Sequence, residues 1–87
     1  MAAEPLCRYC FAGGAITPAT VLDHILALSL GGSNEDANLA PACGPCNDEK
    51  GRDERRYLER GHDVRDVRLD PAMARWFRLA ASPTFGD

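Results

Sequence analysis

Two Cys-x-x-Cys knuckles, Cys7-Arg8-Tyr9-Cys10 and Cys43-Gly44-Pro45-Cys46, constrain this chain more than any other feature. Each can present two thiolates to one tetrahedral ion. A filled set of four at ~2.3 Å leaves no open position for chemistry, so the arrangement reads as a structural zinc site. Two disulfides, or unpaired buried thiols, are the other states these residues allow. The N-terminal Met1-Ala2-Ala3-Glu4-Pro5 lacks the basic and apolar regions of a secretion signal. A cytoplasmic location is therefore expected, and in that reducing compartment cysteines serve metals more often than disulfides. The stretch between the knuckles is longer than in a compact zinc ribbon, so it must hold a fold of its own.

Length explains why such a staple is needed. A chain of 87 residues is expected to form a single domain over 1–87. At that size roughly 60% of the unfolded surface is buried. One Trp, two Tyr and three Phe supply little bulk for a core. Structural zinc contributes roughly 10–16 kcal/mol in small peptides, enough to dominate a core this thin. No run approaches the ~18 apolar residues of a membrane helix. The net charge of −3 argues against a nucleic-acid binder, but its distribution is uneven. Residues 1–50 carry Arg8 and Lys50 against six acids, a net −4, whereas residues 51–87 carry eight arginines against seven acids, a net +1.

The pattern of elements is α+β. Thr20-Val21-Leu22-Asp23-His24-Ile25-Leu26 is rich in β-branched residues and reads as a strand, broken by Gly31-Gly32-Ser33-Asn34. Leu39-Ala40 reads as a short return strand. Residues 47–60 contain no Pro and many helix formers, and Gly61 is placed to stop a helix. Asp70-Pro71 reads as a cap and first turn, opening a helix over 70–81. Along it Met73, Trp76, Phe77 and Ala80 share one face, as a stripe closing the core. The folded core is expected over about 7–60, with 82–87 a loose tail.

Between the knuckles lie Asp23-His24-Ile25, Gly31-Gly32, Asn38-Leu39 and then Asn47 and Lys50. A histidine with a reference pKa of ~6.5 can take a proton from water, and a neighbouring carboxylate holds Mg²⁺ well. Both are needs of phosphodiester hydrolysis. Alone, such a dipeptide also describes an ordinary hydrogen-bonded histidine in a strand.

The whole ordered set, from Cys7 to Gly51, resembles the HNH endonuclease family. The resemblance implies the ββα-metal (His-Me finger) fold, stapled by zinc at Cys7, Cys10, Cys43 and Cys46, here with an added C-terminal helix. It implies that His24 is the general base and that Asp23 and Asn47 hold the catalytic ion. Asn38 would brace the hairpin loop that orients the base. Many relatives carry His where this chain has Asn47, which makes it an H-N-N variant. Many also carry Pro where this chain has Ala27, a difference that bears on loop geometry. The implied activity is metal-dependent hydrolysis of DNA, as a nick of low sequence specificity, by a monomer or homodimer. Lys50, Arg52, Arg55 and Arg56 are candidate phosphate contacts, although acids on the same helix could equally pair with them. Rival readings are a non-catalytic zinc-held binding module for nucleic acid or protein, and an accessory nuclease subunit of a larger phage packaging or restriction machine.

An amide oxygen is a harder donor than imidazole, so Asp23 with Asn47 favours Mg²⁺ or Mn²⁺ over Zn²⁺. Two protein oxygens fill a third of an octahedral shell, and waters and phosphate must fill the rest. Calorimetry on the zinc-loaded protein should therefore detect only weak Mg²⁺ binding without DNA. Tight binding would overturn that expectation.

Overall fold

The computed structural model describes residues 5–81. The first knuckle winds into a short helix, α1 (Arg8–Ala12), whose cap is Cys7, with Sγ accepting from the Cys10 N–H at 3.5 Å. Gly13 ends it by donating to the Tyr9 and Cys10 carbonyls. A helix of this length shows no period, so it has no signature in the sequence.

The expected hairpin follows. β1 (Val21–His24) pairs antiparallel with β2 (Leu39–Ala42), with Asp23 opposite Ala40 and His24 opposite Leu39. β1 is shorter than its apolar run because the chain bends away after His24 into a 3₁₀ turn at Leu28–Leu30. Gly31 closes that turn at φ 93°, and a Cβ on Gly32 would stand 1.7 Å from the Leu26 carbonyl oxygen. Only glycine satisfies both positions. A second 3₁₀ turn, Asp36–Asn38, leads into β2.

The long helix α2 (Gly44–Glu59) begins at the second knuckle, not at residue 47. Pro45 sits in its first turn, where a missing N–H costs nothing. The chain reverses at Gly61 and passes through a 3₁₀ segment, Val64–Leu69, with no counterpart in the sequence reading. The last helix, α3 (Pro71–Ala81), matches the expected 70–81, and the Asp70 carboxylate accepts from the Met73 N–H at 3.1 Å. The expected tail, 82–87, lies outside the described residues.

The stripe on α3 closes the core as expected: Met73, Trp76, Phe77 and Ala80 are all buried. Trp76 does the most joining. The Tyr9 ring of α1 meets it edge-on at 5.3 Å, and its indole N–H donates to Asp53 of α2 at 2.8 Å. Arg75 stacks over the Trp76 ring and pairs with Glu49 at 2.7 Å. That guanidinium is therefore committed within the fold. Among the described residues no helix is long and apolar enough to cross a membrane.

The two knuckles converge. All four sulfurs lie within 4.8 Å of one another, with Cys10 Sγ at 3.7 Å from Cys43 Sγ and 3.5 Å from Cys46 Sγ. A tetrahedral ion with ~2.3 Å bonds to sulfur needs edges of about 3.8 Å, so the cluster fits a metal. Burial pushes the Cys43 and Cys46 thiols up, so an ion entering the cluster must displace their protons. Stripping the metal with a chelator should collapse the helical circular dichroism, and one equivalent of Zn²⁺ should restore it. Loading should weaken as pH falls, because protons then compete for the thiolates.

Candidate active site

Asp23 and His24 are the last two residues of β1, and Asn47 lies in the first turns of α2, directly after Cys46. The hairpin and α2 bring all three to one cavity of about 310 Å³, which Leu22, Ala27, Leu28, Ser29 and Glu54 also line. Alternation along the strand sends Asp23 inward, where it is 8% exposed, while His24 stays half-buried.

Asn38 spans the loop after β1. Its Nδ2 donates to the carbonyls of Leu26 and Ser33, at 2.9 and 2.7 Å, and its Oδ1 accepts from the Leu26 N–H at 2.9 Å. Its own carbonyl accepts from Ile25 at 2.7 Å. One side chain thus closes the loop that follows His24. Ala27 adopts φ −59°, within the range proline imposes, so the loop holds its geometry without the ring.

The His24 ring is oriented by a residue with no signal in the sequence. Its Nε2 lies 2.7 Å from Asn34 Oδ1. An amide oxygen only accepts, so Nε2 is the donor in this contact, and in the neutral ring that leaves the lone pair on Nδ1.

Lys50 corrects an expectation. Placed by sequence at the DNA backbone, its side chain is 0% exposed. The ammonium sits among His24 O at 2.8 Å, Glu54 Oε2 at 2.7 Å and Asp23 Oδ2 at 3.2 Å. A buried ammonium must be paired, and these three oxygens occupy its three donor directions. It cannot reach phosphate. Glu54, four residues on, is both its partner and part of the cavity wall.

Asp23 Oδ2 has a second donor, the Tyr9 hydroxyl at 2.6 Å. Burial, and then this bond to Asp23, push the Tyr9 phenol well above its ordinary range, so it remains a donor. Both contacts fall on Oδ2, and Oδ1 has no protein partner among the described residues.

The arginines fare differently from Lys50. Arg52, Arg55 and Arg56 are exposed and form no ion pair among the described residues. Three acids of α2 are engaged elsewhere: Glu49 with Arg75, Asp53 with Trp76, Glu54 with Lys50. Arg52 and Arg55 line a second cleft, of about 430 Å³, together with Asn47, Asp48, Gly51 and Glu54. Arg56 is exposed outside it.

Chemically, the first cavity offers a carboxylate oxygen and an amide suited to a hard divalent cation, beside an imidazole held at Nε2. Two unpaired guanidiniums extend from Asn47 along the second. Replacing Lys50 with Met leaves the buried Asp23 and half-buried Glu54 carboxylates without a counter-charge. It should lower stability by about 3–5 kcal/mol, measured by urea unfolding of the metal-loaded protein. Loss of less than about 1 kcal/mol would mean that the ammonium is dispensable.

No curated protein and no solved structure matches this chain. Over residues 7–53, more than half its length, it matches the family model described as HNH endonuclease.

Proposed function

The chain belongs to the HNH endonuclease family, and on that premise we propose that it hydrolyses phosphodiester bonds in DNA with His24 as general base. The observation that carries this reading is that His24, Asp23 and Asn47 line one cavity, and that Asn47 also lines the neighbouring cleft with two unpaired arginines.

In this reading His24 Nδ1 takes the proton of the attacking water while Asn34 holds the ring by Nε2. Asp23, through Oδ1, and Asn47 would hold Mg²⁺ or Mn²⁺, which would supply positive charge against the phosphate and the departing 3′ oxygen. The products are a 5′-phosphate and a 3′-hydroxyl. Asn38 keeps the loop behind the base from moving. The four cysteines would hold Zn²⁺, whose filled thiolate shell would take no part in the reaction. Arg52 and Arg55 grip the phosphates that flank the scissile one, and Arg56 adds charge beside them. Such contacts carry no sequence information, so low specificity follows. One active site cuts one strand, so a monomer nicks, and a double-strand break takes a homodimer or two nicks.

The net charge of −3 favours one further possibility, that a larger partner supplies part of the DNA affinity. Nicking of supercoiled plasmid tests the whole reading. The zinc-loaded protein with Mg²⁺ or Mn²⁺ should convert supercoiled to open-circular DNA, and His24→Ala should lower the rate by about 100-fold or more. Cleavage that His24→Ala leaves intact would overturn the assignment of the base. No cleavage with any divalent ion would point to a binding module, and cleavage only with an added partner to an accessory subunit.

A further inference from the structure

Tyr9 is 2% exposed and lies inside the first knuckle, between Cys7 and Cys10. Such a residue ordinarily just fills space around a metal. Here its ring is fixed edge-on against Trp76, and its hydroxyl donates across the core to Asp23 Oδ2 at 2.6 Å. Lys50 competes for the same carboxylate, with its ammonium 3.2 Å from the same oxygen.

The geometry of that competition decides which way Asp23 faces. A carboxylate beside a buried ammonium gains most by turning both oxygens toward it, since the attraction is strong where water is absent. The Tyr9 hydroxyl, approaching from α1, pins Oδ2 and prevents that turn. Oδ1 is then left without a protein partner, on a residue that lines the cavity. From this we propose that Tyr9 is a positioning residue for the catalytic ion: the zinc knuckle, through the Tyr9 hydroxyl, holds Asp23 with one oxygen free to bind Mg²⁺ or Mn²⁺. The inference rests on the nuclease reading, because it takes Asp23 as a ligand. It goes beyond that reading by giving the structural metal a direct line to the catalytic one. Removing a hydrogen-bond partner that orients a ligand typically costs 10–100-fold in metal affinity.

The test is Mn²⁺ binding, followed by electron paramagnetic resonance on the zinc-loaded full chain. A His24→Ala background with a short DNA duplex completes the ion's shell without cutting it. Tyr9→Phe keeps the ring against Trp76 and removes only the hydroxyl. With zinc content unchanged, it should weaken Mn²⁺ binding by about 10–100-fold. In the nicking assay with His24 present, the same variant should need more Mn²⁺ for half-maximal rate, while the rate at saturating Mn²⁺ changes less.

Controls separate the two ideas. If Asp23→Asn abolishes Mn²⁺ binding but Tyr9→Phe leaves it within twofold, the positioning role is wrong and the nuclease reading stands. If Asp23→Asn has no effect, the ion lies elsewhere and both fail. Should Tyr9→Phe not fold, the chain with native Tyr9 decides by nuclear magnetic resonance. The ¹³Cζ signal of Tyr9 should move on Mg²⁺ addition in the His24→Ala complex, and a signal that stays still overturns the proposal.

Discussion

Convergence of four thiols on one point is the constraint from which the rest of this molecule follows. The only sheet among the described residues has two strands, and an isolated pair of strands is marginal in water. The cysteine cluster ties α1 to the N-terminus of α2, across the segment that holds the whole hairpin. It thereby removes much of the freedom that the hairpin must otherwise surrender on folding. The clamp also reaches the site from two directions. Cys46 is followed directly by Asn47, and Cys7 and Cys10 flank Tyr9, which touches Asp23. A single cluster thus anchors residues on both walls of one cavity.

Around that cavity the protein replaces apolar packing with a closed set of polar partners. Lys50 is an expensive group to bury, and three oxygens from β1 and α2 make it tolerable. The arrangement is directional as well as neutralising. A cation between the hairpin and the helix holds both the Asp23 carboxylate and the His24 backbone, so the two catalytic candidates cannot shift independently. Two further acids of α2, Asp53 and Glu49, serve the interface with α3, through Trp76 and Arg75. Arg52, Arg55 and Arg56 stay exposed on the same helix, with no ion pair among the described residues.

Much of this was readable in the letters of the chain, and the failures have physical causes. The knuckles, the hairpin and the Met73-Trp76-Phe77 stripe each leave a local pattern: a spacing, a β-branched run, a helical period. The ordered set from Asp23 to Asn47 pointed to the family because so many motif elements occur together in one order. What escaped was long-range or too short to repeat. The helix through Cys10 spans five residues. The bonds from Asn34 to His24 and from Tyr9 to Asp23 join residues with no periodic relation. Lys50 was misread for a related reason. Proximity to Asn47 in sequence suggested a surface role, but helical geometry turns a residue three positions on to a neighbouring part of the face, here into the core. Its i,i+4 partner Glu54 was the available hint.

One consequence concerns α2 itself, which carries Cys46, Asn47, Lys50 and Glu54 as well as Arg52 and Arg55. A helix turns about 100° and rises ~1.5 Å with each residue, so it acts as a ruler on which every one of these groups has a fixed mark. Substitution at a single mark disturbs one function. Insertion or deletion of one residue between Asn47 and Glu54 rotates everything beyond it out of register with everything before. The exposed turn at Gly13-Gly14, which holds none of these groups, absorbs changes of length far more easily. Lineages descending from such a chain should drift in composition along this helix while keeping its length.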